Sequence, residues 1–597
     1  MNIAVYTPAP MGEATQAILP ANQAMTPATQ ANARARPNTV IRYKLFTPHT
    51  QTMPRVPLKP DVWYREGRDY PEKDVIDAIV GIARFGARIG FIGIREGQRI
   101  AENLPTAAEL PAVLKEDIWE QTTHDRLTKY DSVATLPPFF YSSPLGLVDK
   151  PNGKKRRIHH LSYQPHESVN DGIPEEFGEI TYASISEVIS SIQQLGHGAT
   201  MVKRDFADAF RQIPVSPLDM PLLGFSFEGA FYAERFLPFG LRTAPYLFNL
   251  FAEVFHWLLE RNLHSWCPQA HVVHYLDDFI VLLPPESTWE PASALFQQLA
   301  GDLGLKVKTE KNEQGRLVSF GGVLVDTEKM VVRLPPEKRT KGLYLISQHE
   351  SAESISLFDL QQLTGFLNFI TIVVPLGRAF LRRLYNLELF FPASKYACRR
   401  ISTEACKDLT WWKDLLSTSM EVERLFLPMA RKAFAMWTDA GGTKGIGGYY
   451  IPGDSRENDW QRVCLTRAFA LALPRHIENK REHINTKEMR AVEQGLLRWG
   501  RLWKGSRVSM HIDNRAVVYG IENQSIRGST MEILRRCLLL ASKWDIELCP
   551  TWIPTTENAL ADALSRFDRD RIADQAPQLL PLLDHPKHGF LTSETRG

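Results

Sequence analysis

A Leu-Asp-Asp turn between two apolar runs is the feature that most restricts how this chain can fold. Residues 271–275 and 279–282 contain Val, Tyr, Phe, Ile and Leu, and Asp277 and Asp278 lie between them. Two β-forming runs joined by so short a turn predict a hairpin with both carboxylates at its tip. By itself, an Asp pair in a turn is more often solvated, because Asp favours turns. Here the apolar flanks would bury the hairpin, and two buried carboxylates repel each other unless a cation lies between them.

A third acid, Asp205, ends another β-like run far upstream, in the stretch 201–210 that reads Met-Val-Lys-Arg-Asp-Phe-Ala-Asp-Ala-Phe. Three carboxylates at the ends of neighbouring strands would form the all-oxygen site that Mg²⁺ prefers. Two such ions about 3.5–4 Å apart promote in-line phosphoryl transfer, one at the attacking oxygen and the other at the leaving oxygen. The pattern therefore indicates two-metal phosphoryl-transfer chemistry.

A second set of acids follows in the last third of the chain. Asp439 and Asp513 lie in β-like runs, Glu488 lies in a helical stretch, and Asp562 lies in a final predicted helix. Acids at the ends of strands and on inward-facing helix positions can converge on one pair of Mg²⁺ ions. Each of these acids is unremarkable alone, and the prediction depends on the ordered set of four.

Composition excludes several classes of protein. The chain has 597 residues, of which 44% are hydrophobic and 23% charged, as in ordinary globular proteins. No apolar run approaches the roughly 18 residues that a membrane helix needs. The net charge is only +2, but residues 1–60 carry one acid against six Lys and Arg residues, with almost no apolar periodicity. This composition predicts a disordered basic arm.

The first set of motifs resembles reverse transcriptases. Residues 275–278 resemble the Tyr-x-Asp-Asp box of that family, residues 205–210 its first aspartate motif, and residues 237–245 its template-and-nucleotide loop. The resemblance covers roughly residues 137–335. It implies that Asp205, Asp277 and Asp278 are the catalytic, metal-binding triad.

The resemblance also implies a set of contacts with the incoming deoxynucleoside triphosphate. Phe210 would lie beside the sugar and exclude a ribose hydroxyl, and the basic hairpin at 150–157 would grip the triphosphate. The implied substrate-binding residues are Lys150, Arg157, Phe210, Phe239, Gly240 and Lys311. The alternatives are a core position for Phe210, a solvated loop for the basic hairpin and surface charges for the lysines near 311.

The second set of acids resembles that of ribonuclease H, over about residues 432–567. The resemblance implies that Asp439, Glu488, Asp513 and Asp562 are catalytic and bind metal. Many members of that family carry a His in the loop before the last Asp, whereas residues 552–557 here have none. Glu557 is a candidate substitute.

Together these patterns predict an α+β multidomain chain, with a right-hand polymerase (fingers, palm, thumb) followed by an α/β ribonuclease H-like domain. The predicted segments are a disordered basic N-terminal arm (1–60), a helical N-terminal extension (61–136), fingers and palm (137–335), thumb and connection helices (336–430), the ribonuclease H-like domain (431–567) and a C-terminal tail (568–597).

The expected function is RNA-directed DNA polymerase with ribonuclease H endonuclease activity, from a retrotransposon of the gypsy-like or DIRS-like group. The expected cofactor is Mg²⁺, two ions per active site, with Mn²⁺ as an alternative. The expected partners are an RNA template, a DNA primer, the RNA–DNA hybrid, dNTPs and other proteins of the same element, with no membrane. The expected location is intracellular, either cytoplasmic or nuclear.

The rival hypothesis is a degenerate or domesticated nucleic-acid-binding protein without catalysis. A DNA-templated host polymerase is disfavoured because it would not need the ribonuclease.

Overall fold

The computed structural model describes residues 44–584, except positions 52, 55, 150–154, 351, 393–396, 419, 427–430, 443, 454–460, 462 and 474–481. The side chains of residues 149 and 311 are also outside this description. The chain divides between Val332 and Arg333 into two compact units. Residues 1–43 of the predicted disordered arm lie outside the described residues. In its described part, Leu45 and Leu58 are buried in the core of the first unit, so the prediction of disorder is wrong there.

The first unit combines helices with several small sheets. Its helices are α1 (Pro60–Glu66), α2 (Lys73–Phe85), α3 (Pro105–Glu109), α4 (Pro111–Thr123), α5 (Ile185–Leu195), α6 (Ala244–His264) and α7 (Glu290–Leu303). Its strands are β1 (Gly97–Ile100), β2 (Leu127–Tyr130), β3 (Phe139–Ser142), β4 (Leu145–Asp149), β5 (Lys155–His159), β6 (Thr200–Phe206), β7 (Gly224–Phe227), β8 (Ala230–Glu234), β9 (His271–Tyr275), β10 (Asp278–Leu283), β11 (Val307–Gly315), β12 (Leu317–Phe320), β13 (Val323–Asp326) and β14 (Val331–Arg333).

A four-stranded antiparallel sheet in the order β11-β6-β10-β9 carries the predicted first set of acids. Every residue of β6 is buried. The ring of Phe206 lies 5.0 Å from Phe255 of α6, 5.4 Å from Phe279 of β10 and 5.5 Å from Phe296 of α7, measured between centroids. Aromatic packing of this kind fixes the sheet on the two helices, so the strand ends that follow have defined positions.

A five-stranded sheet in the order β1-β3-β7-β8-β2 and the hairpin β4–β5 form the remaining β-structure before residue 300. The segment 61–136 contains α2 and α4 where helices are expected, but it also contributes β1 and β2. These two strands pair with β3 and β8 at opposite edges of the sheet. The segment predicted as a helical extension therefore contains two strands besides its helices, because pairing with strands distant in sequence decides the conformation of these short segments.

The second unit begins with helices and continues into a mixed sheet. Its helices are α8 (Pro336–His349), α9 (Leu357–Ile370), α10 (Arg382–Glu388), α11 (Thr403–Ser417), α12 (Ile484–Trp499), α13 (Arg515–Glu522), α14 (Thr530–Lys543), α15 (Ala559–Arg566), α16 (Arg569–Gln575) and α17 (Pro581–Asp584). Its strands are β15 (Ser354–Ser356), β16 (Cys398–Arg400), β17 (Glu423–Leu425), β18 (Ala433–Ala440), β19 (Gly445–Pro452), β20 (Ala468–Ala472), β21 (Arg507–Ile512) and β22 (Glu547–Trp552).

The mixed sheet has the order β20-β19-β18-β21-β22, with β18, β21 and β22 parallel to one another and β19 and β20 antiparallel. The central strand β18 carries Asp439. Helix α15 lies close against β19, since a Cβ atom at Gly447 would come within 2.5 Å of the backbone nitrogen of Ser565. Glycine in β19 thus allows the helix that carries Asp562 to approach the sheet.

The segment after residue 567 is predicted as a loose tail, and the structure corrects this for residues 569–584. Helices α16 and α17 form there, and Ile572 and Leu579 are fully buried in the core that also contains Leu560 and Leu564 of α15. The apolar residues in this short segment are too few for a clear periodic pattern, and their burial depends on a neighbouring helix. No helix among the described residues is long and apolar enough to cross a bilayer.

Candidate active sites

The first three predicted acids meet at one end of the antiparallel sheet. Strands β9 and β10 are joined by a tight turn in which Leu276 has a positive φ of 55°. Asp278 begins β10 and pairs directly with Asp205 of β6. The backbone N–H of Phe206 donates to the carbonyl of Asp277 at 3.1 Å. The predicted hairpin is confirmed, and strand register brings the third acid beside it.

A lysine partly balances the charge of this group. The Nζ atom of Lys203 lies 3.8 Å from Oδ1 of Asp278 and 3.1 Å from Oε1 of Glu313. Asp205 is buried with only 3% of its surface exposed. A buried acid beside a second carboxylate favours a nearby cation, and Lys203 supplies one positive charge for several negative ones.

Two phenylalanines predicted to bind the substrate lie in contact near these acids. Phe210 is part of the 3₁₀ turn Ala209–Gln212 that follows β6, and its ring centroid lies 5.1 Å from that of Phe239 and 6.1 Å from that of the buried Phe248. Phe239 is 46% exposed. The half-buried Phe210 therefore packs against the buried Phe248 on one side and against the exposed ring of Phe239 on the other.

The residue after Phe239 needs to be glycine. Gly240 has a φ of +95°, and a Cβ atom there would lie 2.8 Å from the carbonyl oxygen of His159. The guanidinium of Arg156 lies 5.7 Å from the centroid of the Phe239 ring. Strand β5 and the loop that contains Phe239 are thus in close contact, with an exposed arginine above the ring.

The structure differs from the prediction for Arg157. Its guanidinium donates to Asp117 at 2.6 Å and to Glu234 at 3.1 Å, and only 5% of the side chain is exposed. Successive side chains of a strand point to opposite faces, so the burial of Arg157 leaves Arg156 as the exposed cation of β5. Because Arg157 is buried and bonds Asp117 and Glu234, its guanidinium does not face a triphosphate in this structure.

The second set of acids is more compact. Asp439 of β18, Glu488 of α12 and Asp513, which follows β21, offer oxygens that all lie within 4.8 Å of one another. In the described part of the chain, no other group of three His, Cys, Asp or Glu side chains reaches this closeness. The first triad is therefore more open than the second in this structure.

The electrostatics of the second set fit a cation. Burial raises the pKa of Asp439 to about 6, and the charges of Asp513 and Asp562 act in the same direction. Burial, followed by repulsion from Asp439 and Asp513, raises the pKa of Glu488 well above its usual value. The Oε2 atom of Glu488 is buried and has no hydrogen-bond partner. An unpaired buried carboxylate oxygen beside two further acids is what a divalent ion would satisfy.

Asp562, the fourth predicted acid, is not part of that close group. Its Oδ1 accepts a hydrogen bond from Nε of Arg566, and its Oδ2 accepts one from Nη1 of Arg571, both at 2.6 Å. Burial acts to raise the pKa of Asp562, but the hydrogen bonds from both arginines outweigh it and lower the pKa. Arg571 could not be predicted as a partner of Asp562, because its segment lacks a recognisable helical pattern.

Two hydroxyl groups that the sequence analysis missed contact the acids. Thr555 donates to Oδ2 of Asp513 at 2.8 Å, and the hydroxyl of Ser565 donates to Asp439. Glu557, the candidate substitute for the missing histidine, is exposed on the 3₁₀ helix Thr555–Asn558. The hydroxyls hold two carboxylates in fixed orientations, and short polar side chains of this kind carry no distinctive sequence signal.

Comparison with known protein families matches the part of the chain that carries the first set of acids. A model of the family described as reverse transcriptase (RNA-dependent DNA polymerase) matches residues 149–345. The match includes β6, the β9–β10 hairpin and all three acids of the first set. Residues 149–345 are a reverse transcriptase domain. The expected α+β fold class, with a polymerase fold, is confirmed.

Two curated relatives extend beyond this reverse transcriptase domain. The chain is 24% identical over 445 residues to the retrovirus-related Pol polyprotein from transposon opus of Drosophila melanogaster, a match that covers 72% of this chain and 40% of the relative. It is 24% identical over 294 residues to the Gag-Pro-Pol polyprotein of human T-cell leukemia virus 2, covering 47% of this chain and 18% of the relative. The chain therefore spans less than half the length of these relatives.

Among solved structures, the foamy viral protease-reverse transcriptase in complex with double-stranded DNA aligns with 86% of this chain and 85% of its own. The sequence identity is 16% and the TM-score 0.42.

Two of the predicted triphosphate contacts involve side chains outside the described part of the reverse transcriptase domain. Lys150 lies outside the described residues, and so does the side chain of Lys311, whose backbone belongs to β11. Phe210, Phe239 and Gly240 lie together, as the preceding distances show. Their roles, and the assignment to a gypsy-like or DIRS-like group, stay predictions.

Proposed function

We propose that this chain is a retroelement RNA-directed DNA polymerase whose second unit hydrolyses the RNA strand of RNA–DNA hybrids. One observation carries the proposal. The reverse transcriptase domain contains a β-hairpin whose Asp278 pairs in register with Asp205, with Asp277 at the adjacent turn. Three carboxylates at one strand end are what two-metal nucleotidyl transfer requires.

In the proposed polymerase site, Asp205, Asp277 and Asp278 would hold two Mg²⁺ ions, with Mn²⁺ as an alternative. When bound, the ions would activate the 3′ oxygen of the primer and neutralise charge on the leaving pyrophosphate. The protein's own part is to hold the acids in place, since β6 and β10 are packed on α6 and α7 through buried aromatic rings.

The deoxynucleotide would lie against Phe210 and Phe239. Phe210 is held between Phe239 and Phe248, so its ring has little room to move away from a ribose 2′-hydroxyl. The burial of Arg157 supports Arg156 as the cation that faces the triphosphate from β5, because its guanidinium lies over Phe239 and is exposed. Arginine suits this role because it donates several hydrogen bonds to phosphate oxygens in a fixed geometry. Lys150 and Lys311 would add further positive charge.

The proposed ribonuclease H site would use Asp439, Glu488 and Asp513, with Asp562 as the fourth acid. The close approach of the first three and the unpaired Oε2 of Glu488 support metal binding there. The order of the strands, with three parallel strands flanked by an antiparallel pair, supports a ribonuclease H-like domain over about residues 431–567. Hydrolysis of the template RNA would free the new DNA strand for further copying.

The proposed partners are an RNA template, a DNA primer, their hybrid and dNTPs. The names of the relatives support a retroelement origin, and other proteins of the same element are proposed partners because those relatives are longer polyproteins. We propose the same segment boundaries as above, with fingers and palm over 137–335 and thumb and connection helices over 336–430. An intracellular location follows from copying an RNA made in the cell.

The test is DNA synthesis on a primed RNA template with Mg²⁺ and labelled dNTPs. Wild type should extend the primer, and Asp277→Asn should not. Cleavage of a labelled RNA–DNA hybrid should persist in Asp277→Asn and be lost in Asp513→Asn. Binding of the hybrid by wild type without synthesis or cleavage would contradict the proposal and favour the non-catalytic alternative.

A further inference from the structure

Glu234, at the end of β8, is a fully buried carboxylate held by two arginines. Its Oε1 accepts hydrogen bonds from Nη1 of Arg157 and Nη2 of Arg211, both at 3.1 Å, and its Oε2 accepts a further bond from Nη1 of Arg211. The side chain of Glu234 has no exposed surface, and those of Arg157 and Arg211 are 5% and 10% exposed. This is a buried ion-pair network inside the reverse transcriptase domain.

The network is balanced in charge. Asp117 accepts a hydrogen bond from Nε of Arg157 at 2.6 Å, so that two carboxylates face two guanidinium groups. Burial alone would raise the pKa of Glu234, but the positive charges of Arg211 and Arg157 outweigh it and lower the pKa to about 2. Burial lowers the pKa of the nearby His159 to about 4, so its ring is neutral at neutral pH. The carboxylate is therefore fully ionised and tightly held.

Each arginine of the network is the chain neighbour of a residue in the proposed nucleotide pocket. Arg157 follows Arg156 on β5, and Arg211 follows Phe210 in the 3₁₀ turn after β6. The strand that ends at Glu234 continues within five residues to Phe239. The three segments that carry Arg156, Phe210 and Phe239 are therefore held together at the carboxylate of Glu234.

The geometry points to Glu234 and Arg211 as positioning residues of the deoxynucleotide pocket. Their ion pair sets the distance between Arg156 and Phe210. This inference rests on the proposed polymerase function and adds to it residues that touch no substrate.

The physical reason lies in the two-point contact between Arg211 and Glu234. A bidentate arginine–carboxylate pair fixes both distance and orientation, whereas lysine presents a single point charge on a flexible chain. Displacing a binding group by about 1 Å can reduce the rate of a positioned reaction by on the order of 10²-fold. Loosening the pair should therefore affect nucleotide binding before it affects the fold.

The experiment compares Arg211→Lys with a matched control, Arg88→Lys. Arg88 donates from Nε to the buried Asp219 at 2.9 Å, and Arg95 lies 2.8 Å from the other oxygen of Asp219, so this carboxylate is also held by two arginines. Neither arginine of the control network neighbours a residue of the proposed pocket in sequence. Both substitutions keep the positive charge and remove a guanidinium that bonds a buried carboxylate, but only Arg211 bonds its carboxylate through two nitrogens.

Steady-state incorporation of a dNTP and of the matching rNTP is measured on a primed RNA template, and amide hydrogen exchange of the first unit is measured for each variant. Arg211→Lys should raise the KM for the dNTP roughly tenfold, with a smaller change in kcat, and should reduce discrimination against the rNTP. Arg88→Lys should speed amide exchange of the first unit about as much as Arg211→Lys does, and it should leave KM and discrimination unchanged. Glu234→Asp, which keeps the charge but shortens the side chain, should shift KM in the same direction as Arg211→Lys.

Equal KM values for Arg211→Lys and wild type, with active and folded proteins, would overturn this inference and leave the proposed polymerase intact. An equal rise of KM in Arg88→Lys would also overturn it, because the effect would then follow from lost stability alone. A wild-type protein that incorporates no dNTP would refute the proposed function and the inference with it.

Discussion

Replacing Asp439 by asparagine should make the metal-free second unit more stable while it destroys the proposed ribonuclease site. Asp439 is buried beside Glu488 and Asp513, with oxygens within 4.8 Å of one another. Without a cation, ionised carboxylates at this distance repel, and burial disfavours each charge. Asparagine has nearly the same shape and cannot ionise, so it removes this penalty.

The magnitude follows from the pKa of Asp439, which burial raises from the usual 3.8 to about 6. Since one pKa unit corresponds to about 1.4 kcal/mol, the ionised side chain destabilises the fold by about 3 kcal/mol above pH 6. The pKa is raised in the folded state, so the penalty is absent below pH 3.8 and develops as the pH rises to about 6. Allowing about 1 kcal/mol for an amide N–H without an acceptor, we expect a gain of about 2 kcal/mol at pH 8 and less than about 1 kcal/mol at pH 5.

The assay is hydrogen exchange of the full chain in EDTA, followed on the amides of β18, because a chain of several units has no single unfolding free energy. The exposed Asp570 provides a control, and Asp570→Asn should change nothing at either pH. Added Mg²⁺ should stabilise wild type and have little effect on Asp439→Asn. Equal or faster exchange of β18 in Asp439→Asn at pH 8 would refute the reasoning, because the three acids would then not repel one another.

Three further predictions concern other parts of the molecule. Asp277→Asn should abolish DNA synthesis and leave hybrid cleavage intact, while Asp513→Asn should do the reverse; loss of both activities in either folded variant would contradict two separate sites. Phe210→Ala should increase ribonucleotide incorporation by about tenfold or more, since removing the ring opens space beside the sugar; unchanged sugar discrimination in a primer-extension assay would assign Phe210 to the core alone. Arg535, which is buried and donates to Asp408 at 3.0 Å, should be required for stability. Arg535→Leu should lower the stability of α14, measured by hydrogen exchange, by about 3–5 kcal/mol, because it leaves a buried carboxylate with one partner fewer; a change below about 1 kcal/mol would show that the ion pair is dispensable.

Local pattern was sufficient for the hairpin that carries Asp277 and Asp278. Apolar β-forming residues on both sides of a short turn leave few other conformations, and the structure has β9 and β10 there. Helices α2 and α4 likewise form inside the segment predicted to be helical, and α12 forms at the helical stretch that carries Glu488. The pairing of Asp205 with Asp278 required more than spacing, because it depends on which strands become neighbours. The resemblance to a known family supplied that information.

Other features could not be predicted because they depend on contacts between distant segments. Strands β1 and β2 exist through pairing with β3 and β8. Helix α16 forms inside the segment predicted as a C-terminal tail, because Ile572 is buried against α15.

The charged residues of both sites show most clearly which features the sequence determines and which depend on the tertiary structure. The sequence alone places a cluster of cations at 154–157 and contains both sets of acids, and the resemblance to a known family implies that the cations meet a triphosphate. Only the tertiary structure decides that Arg157 turns inward to Glu234 and Asp117 while Arg156 is exposed. It also decides that Asp562 is bound by Arg566 and Arg571 whereas Asp439, Glu488 and Asp513 lie together. The physical reason is that residue type determines which positions carry charge, and the spacing of apolar residues determines which segments are strands or helices. The partner of a charge, by contrast, depends on which elements pack against it and how far water is excluded.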